Sequence, residues 1–550
     1  MRSPAGTYNL AQRFSAGCMR GSDLVPEGRH LARCTRLNKP MSNRDLAATW
    51  KYHNATKHSY ASIRTNAHML DWGNKPLQFK MYPTLEVTRL PQEAGATGAS
   101  ALSAIATTSV PRSQSSPTLE SLAQLLFLSA GITKTRKYPG GEMFFRAAAC
   151  TGALYEIELY IVCGDLAGLP AGIYHFGVAE FGLRQLRAGD YRRALADAAG
   201  HDASILHAPL TIICTGIYWR NAWKYQARTY RHFGWDNGTI LANMLAVSAA
   251  LSLPAKVVAG FVDDSVNQLL DLTPEREVAF SLAPIGYSPE EPPSSPELTA
   301  LNLPMIRQST TEVDYPLMRE MHAASSLVSA EEVKAWPGSA PETAPHSKAK
   351  LISLPRVADD QLPTDSVEQV ILRRGSTRRF APEPITLTQF SIMLDRATRA
   401  IPADFAASGT HLNDLYVIVN SVEGLGTGAY FYHRDEHALE LLRQGNFRKV
   451  AGYLGLEQEL PANSSACVFF LADLPAILDR FGNRGYRAAQ LEAGIMGGKL
   501  YLAAYAQGLG ASGLTFYDDD VVRFFSPHAE GKSAIFLVAL GKSASRSTTT

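Results

Sequence analysis

"GLPAGIYHFG" at residues 168–177 and "GLGTGAYFYH" at 424–433 are two versions of one phrase, 256 positions apart. The same spacing separates "LRQLRAGDYR" (183–192) from "LELLRQGNFR" (439–448) and "YRHFGWDNG" (230–238) from "YRAAQLEAG" (486–494). It also separates "LYIV" (159–162) from "LYVI" (415–418). A constant offset over this span marks a duplicated domain of roughly two hundred residues per copy. Each copy reads in the same order. A first helix leads to a strand ("IELYIVC", "DLYVIVN"), then a turn and a second strand. A long apolar helix starts near Gly238 or Gly494, and a last strand closes the copy ("AFSLAPIG", "AIFLVALG"). The strand runs alternate or are β-branched, and the helices carry apolar residues at 3.6 spacing. The fold class that follows is α+β, with helices around a central sheet in each copy.

Around the repeat, the composition sets domain limits. Residues 1–44 read as a disordered extension, with Met41 as an alternative start. The first domain spans 45–287 and is interrupted at 91–117 by "PQEAGATGASALSAIATTSVPRSQSSP", which reads as a mobile loop. Residues 288–366, rich in Pro, Ser, Glu and Ala, read as a linker with at most one short helix near "YPLMREMHAASSL". The second domain spans 365–543, and 544–550 is a tail.

The 550 residues are 46% hydrophobic and 19% charged, with a formal net charge of +2, as expected of globular domains with no drive toward nucleic acid or an anionic membrane. The six cysteines (Cys18, Cys34, Cys150, Cys163, Cys214, Cys467) show neither metal-type pairing nor a disulfide framework, which suits a reducing cytoplasm. No apolar run has membrane-spanning length and no secretory h-region is present, so a cytoplasmic location is expected. No G-x-G-x-x-G follows a strand, so no dinucleotide domain is expected.

The copies share a scaffold but not their chemistry. "TGALYEIELY" (151–160) has "ASGTHLNDLY" (407–416) as its counterpart. "YWRNAWKYQARTYR" (218–231) is matched by "LPAILDRFGNRGYR" (474–487), so Lys224 and Tyr225 become Arg480 and Phe481. Conversely, "RRGSTRRF" (373–380) precedes the first helix of the second copy, where the first copy has "TTSVPRSQ". Arginine and serine donors before a helix make an anion site, most often for phosphate; a solvated basic stretch is the other reading. A remnant of the same pattern is "ATKHSYASIR" at 55–64. Each copy thus holds a different half of the unusual residues. If the copies pack face to face, the halves meet in one complete site, and the symmetry-related site lacks both.

These motifs resemble the nitroreductase-like flavoproteins, and in particular the tandem SagB-type dehydrogenases that oxidise azolines in thiazole and oxazole peptide biosynthesis. The resemblance implies two nitroreductase-like domains, each a mostly antiparallel sheet flanked by helices, paired as an intrachain pseudo-dimer with FMN at the interface. It implies that Arg373, Arg374, Ser376 and Arg378 hold the FMN phosphate. Thr151, Gly152, Ala153, Leu154 and Tyr155 resemble the family's S-A-G-A-L-Y-P stretch, which reaches the flavin from the partner domain. "GLGASGLTF" (508–516) brings Gly513, Leu514 and Thr515 to the flavin edge, or serves as a helix C-cap and turn. Lys542 reaches the phosphate or pyrimidine end, or is a solvated terminal lysine.

Lys224 and Tyr225 resemble the family's catalytic pair. A lysine desolvated among Trp219, Trp223 and Tyr230 would act as base, with the tyrosine orienting it or relaying its proton; a snorkelling lysine is the alternative. The sequence departs from the family at Thr151, at Glu156 (usually Pro) and at Asp236-Asn237-Gly238 (usually E-A-G), while Glu492-Ala493-Gly494 keeps the pattern. The expected function is an FMN-dependent oxidoreductase with one FMN per chain that dehydrogenates a small-molecule or peptide substrate. Two alternatives are an NAD(P)H-dependent nitro or quinone reductase, with NAD(P)H as transient donor, and a flavin-free binding module. The internal pseudo-dimer makes a monomer the expected state.

Overall fold

The computed structural model describes residues 24–26, 42–92, 95–111, 113–138, 141–337 and 350–544. Most of the extension expected at 1–44 and of the tail at 544–550 lies outside the described residues.

Among the described residues, seventeen strands form two large sheets and two small ones. In the first copy, β2 (Thr88–Arg89), β5 (Ile157–Cys163), β6 (Gly172–Gly177), β7 (Gly182–Ala188), β8 (Leu210–Ile217) and β9 (Glu277–Ile285) make one sheet in the order β2-β7-β6-β5-β8-β9. In the second, β11 (Leu351–Ser353), β12 (Asp414–Val419), β13 (Gly428–His433), β14 (Ala438–Gln444), β15 (Ala466–Ala472), β16 (Gly510–Leu514) and β17 (Ser533–Gly541) run in the order β11-β14-β13-β12-β15-β17-β16. All strand pairings within these sheets are antiparallel. The duplication extends to register: Tyr160 opposes Ile213 and His175, and Tyr416 opposes Phe469 and Phe431. The small sheets are β1 (Leu24–Pro26) with β10 (Pro304–Ile306), and a hairpin of β3 (Ile132–Tyr138) and β4 (Gly141–Arg146).

The two copies are joined through their long helices, Thr229–Ala250 and Arg484–Ala506. Both are buried along almost their whole length, because each packs on its own sheet and on the other helix. They cross where Gly238 meets Gly494: a β-carbon on Gly238 would lie 2.5 Å from the Gly494 backbone. Only glycine permits that approach.

Two buried ion-pair clasps flank the crossing. Arg228 and Arg231 of the first copy hold Asp518 of the second at 3.1 and 2.6 Å. Arg484 and Arg487 of the second hold Asp263 of the first at 2.5 and 2.7 Å. Each carboxylate faces two guanidiniums across the interface, so the contact has the reciprocal form of a twofold dimer within one chain. In both clasps the flanking arginines hold the aspartate carboxyl below the usual carboxylate range, despite its burial.

Two segments depart from the sequence expectation. Within 91–117, read as a mobile loop, Ala101–Ala106 is a buried helix against both long helices, and Ala101 donates to the Asp365 carbonyl at 3.0 Å. Its small residues resemble a linker in composition, yet they are what fits between closely packed helices. The 288–366 segment holds two helices, Pro316–Ala324 and Ala330–Ala335, rather than at most one. They bury Met318 and Met321 and lead to the buried Trp336. Among the described residues, no helix is long and apolar enough to cross a membrane.

Candidate active site

A cavity of about 280 Å³ opens between the copies. From the first copy it is lined by Thr151, Gly152, Ala153, Lys224 and Tyr225, and from the second by Ser376, Arg378, Gly513, Leu514 and Thr515. The two sets that the sequence places 151 to 364 positions apart therefore share one wall.

The backbone explains which residues of "RRGSTRRF" reach it. The helix Val367–Arg373 ends at the first arginine. Beyond it the chain is extended, and Thr377 donates its N–H to the Ala511 carbonyl beside β16. In extended chain, side chains alternate. Thr377 turns away, to Ser543 and Tyr505, while Ser376 and Arg378 face the cavity. Ser376 Oγ lies 3.2 Å from the Tyr501 hydroxyl, which also accepts the Gly513 N–H at 2.5 Å. Strand β16 is the edge of its sheet, so its outer side faces the cavity rather than another strand.

Five expected cofactor ligands lie elsewhere. Arg373 is exposed and pairs with Asp365 at 2.5 Å, also donating to the Tyr505 carbonyl. Arg374 is drawn into the domain interface, where its guanidinium donates to the carbonyls of Arg146 and Ala147, each at 2.9 Å. Leu154 packs with Trp219 and Trp223 in a small apolar cluster. Tyr155 lies behind the cavity wall, its hydroxyl accepting the Arg146 N–H at 3.0 Å. Lys542 is exposed and pairs with Glu383.

On the first-copy side, Gly152 (φ 62°) and Ala153 (φ 54°) adopt left-handed backbone, which folds the "TGA" turn against Tyr225. A β-carbon on Gly152 would meet the Tyr225 hydroxyl at 2.8 Å. Burial, then Asp236, Cys150 and Glu156, raises the Tyr225 phenol, so it stays protonated. Lys224 is exposed at the rim, with Nζ 5.2 Å from the Tyr225 ring centroid. Partial burial, then Arg378 and Lys75, lowers its pKa. Desolvation is the first cause, as expected of a lysine placed by sequence beside Trp219, Trp223 and Tyr230. The tryptophans pack on Leu154, and the Tyr230 hydroxyl faces His322 and Ser325.

The sequence reading missed other lining residues, among them His58, Cys150, His232, Asp236 and Tyr501. His58 comes from "ATKHSYASIR", which the structure brings to this cavity rather than to a second phosphate site; its Nδ1 lies 3.0 Å from Thr515 Oγ1. Burial and then Arg228 hold His58 down to about 3, and burial keeps His232 neutral as well. Lys224 and Arg378 are thus the cations of this lining, and neither has an ion pair among the described residues.

The symmetry-related place is partly occupied. Asp404 accepts the N–H groups of Ala259 (2.9 Å) and Gly260 (2.7 Å), the positions matching Thr515 and Phe516. Trp336 packs on Phe481, the counterpart of Tyr225, at 5.4 Å between ring centroids. A cleft of about 320 Å³ remains, where Thr108, Ser109 and Val110 stand with no arginine but with Lys256, which pairs with Asp202 at 2.8 Å.

Comparison with known proteins agrees with this architecture. Residues 371–542 match the Nitroreductase family. A protein of Methanocaldococcus jannaschii, provisionally named a nitroreductase, is 27% identical over 173 residues, 31% of this chain and 82% of its own length. The trifolitoxin-processing protein TfxB of Rhizobium leguminosarum bv. trifolii is 31% identical over 169 residues, 30% of this chain and 45% of its own length. A solved structure from Anabaena variabilis, also provisionally named a nitroreductase, superposes with a TM-score of 0.70 at 26% identity, covering 90% of this chain and 99% of that one. Residues 371–542 thus carry a domain of the Nitroreductase family, and the chain as a whole has a nitroreductase-like fold in two copies.

Proposed function

We propose that the chain is an FMN-dependent oxidoreductase with one composite site, acting as a dehydrogenase of a peptide-derived heterocycle, azoline to azole. The observation that carries this reading is the cavity where Arg378 and Ser376 of one copy meet Gly152, Lys224 and Tyr225 of the other. Its residues fit FMN. Arg378 has no ion pair among the described residues and Ser376 offers a hydroxyl, so an anionic phosphate has donors waiting. Gly152 and Gly513 let the rings of Tyr225 and Phe536 lie against the cavity wall, since a β-carbon would meet them at 2.8 and 3.0 Å.

Bound FMN supplies a two-electron acceptor. The protein's part is to hold the substrate and move its proton. Lys224, with its pKa lowered, has a larger amine fraction near neutral pH and is placed at the rim to take a proton from the substrate ring carbon. Tyr225, held protonated, donates a hydrogen bond that orients the substrate or relays that proton. The peptide direction is supported by the likeness to TfxB, whose name places it in trifolitoxin processing. An NAD(P)H-dependent nitro or quinone reductase is the second reading, supported by the family name that residues 371–542 match.

The test is Lys224→Ala in the FMN-loaded chain. Dehydrogenation should be lost while chemical reduction of the bound flavin is retained. Normal dehydrogenation by Lys224→Ala would remove Lys224 as the base.

A further inference from the structure

The closed end of the cavity holds two carboxyl groups where the other copy holds one. In the second copy, Glu492 accepts N–H groups from Leu412 and Asn413 and the Asn413 side-chain amide, at 2.8–3.1 Å. One buried charge is thereby satisfied. At the matching place in the first copy, Asp236 is shorter by a methylene. It accepts the N–H of Thr151 at 2.9 Å, its hydroxyl at 2.9 Å, and the Cys150 thiol at 3.3 Å. Opposite it, where Leu412 stands in the second copy, is Glu156, fully buried. The oxygens of Asp236 and Glu156 and the sulfur of Cys150 all lie within 4.8 Å of one another.

Glu156 Oε1 has no donor, although no water reaches it. Two buried carboxyls with oxygens within 4.8 Å of one another, both facing the Cys150 sulfur, favour sharing a proton, because like charges this close disfavour double ionisation. Burial and Glu156 together push the Asp236 carboxyl well above the usual carboxylate range. The fold does not require this arrangement, since leucine occupies the matching position in the second copy. A second buried carboxyl costs stability, and its neighbour Asp236 lines the cavity that would hold FMN. The titratable groups facing it are the Cys150 thiol, which burial, Asp236 and Glu156 keep protonated, and the phenols of Tyr155 and Tyr225. The cations nearby are Lys224 and Arg378 of the cavity lining, with Arg146 and Arg374 behind it.

We propose that Glu156 and Asp236 form a proton-sharing dyad that takes up a second proton when negative charge enters the cavity. One proton sits between the carboxyls at rest. When the site gains two electrons, the remaining carboxylate takes one proton from solvent: one O–H bond forms on the carboxyl as one O–H bond of hydronium breaks. The dyad thus couples proton uptake to the redox state of the site. This rests on the flavin reading above, and two separate measurements keep the two claims apart.

The first is the infrared spectrum of the purified chain at neutral pH, with or without flavin. Wild type should show a protonated carboxylic acid C=O band that shifts in D2O. Glu156→Leu, which copies the second copy, should lose it, and Asp236→Asn should shift or remove it. The second is the pH dependence of the midpoint potential of bound FMN. Glu156→Leu should take up one proton fewer per two electrons than wild type. A wild type without the band, or an unchanged proton count in Glu156→Leu, overturns the dyad's role. A chain that binds no FMN overturns both the flavin reading and the coupling, while the infrared band then still reports whether the carboxyls share a proton.

Discussion

Asp518→Asn should separate the two tasks of the domain interface. Asp518 is buried between Arg228 and Arg231 and also accepts the His58 N–H at 2.8 Å. The substitution leaves two buried guanidiniums without a counter-charge. Breaking a buried pair in this way costs about 3–5 kcal/mol. The lower end applies here, because Arg228 and Arg231 keep bonds to the Thr56 and His53 carbonyls.

The sign of the pH dependence follows from the depressed carboxyl. Its stabilisation is fully present above the unfolded aspartate pKa of about 3.9 and is lost as pH falls through the lower folded value. The assay is urea unfolding at neutral and acidic pH with a parallel FMN titration. Asp518→Asn should lose about 3 kcal/mol at pH 7 and show less acid sensitivity than wild type. Because His58 lines the cavity, FMN affinity should fall by about tenfold, roughly 1.4 kcal/mol. Asp263→Asn, in the reciprocal clasp, should lose similar stability but leave FMN affinity unchanged. If Asp518→Asn is as stable as wild type, or if both variants lose FMN equally, the paired-clasp reasoning fails.

The remaining predictions concern the cavity. Arg378→Ala should weaken FMN binding by about 1.5–3 kcal/mol, the range for a charge-assisted hydrogen bond, whereas Arg373→Ala and Lys542→Ala should change it little because both side chains are committed to carboxylates elsewhere. Fluorescence titration of the three apo variants checks this, and equal losses would return Arg373 and Lys542 to the site. If Lys224 is the base, dehydrogenation should rise with pH up to the lowered lysine pKa and then level off. A pH–rate profile that falls over this range would assign that titration to another group.

The duplication was legible because a repeat preserves register: the offset read in "GLPAGIYHFG" recurs in the pairing of Tyr160 and Tyr416 with their partners. The composite wall was legible for Thr151 to Ala153, Lys224, Tyr225, Ser376, Arg378 and Gly513 to Thr515, since these motifs are local. Arg373 and Arg374 were not separable from Arg378 in sequence. Their directions depend on where the helix Val367–Arg373 stops and on the carbonyls of Arg146 and Ala147, more than two hundred residues away. The helix Ala101–Ala106 was hidden by its composition, because alanine signals both loose linkers and tight helix contacts. Trp336 and Asp404 at the second site could not be read at all, since both act through tertiary packing.

The account's central claim is a single flavin site made by both copies. The most direct test is the molar ratio of FMN to protein after reconstitution, measured with wild type and Arg378→Ala. The account predicts a ratio near one for wild type and weaker retention in the variant. A ratio near two would mean that the Asp404–Trp336 side also binds flavin, and a chain that binds none would refute the composite site.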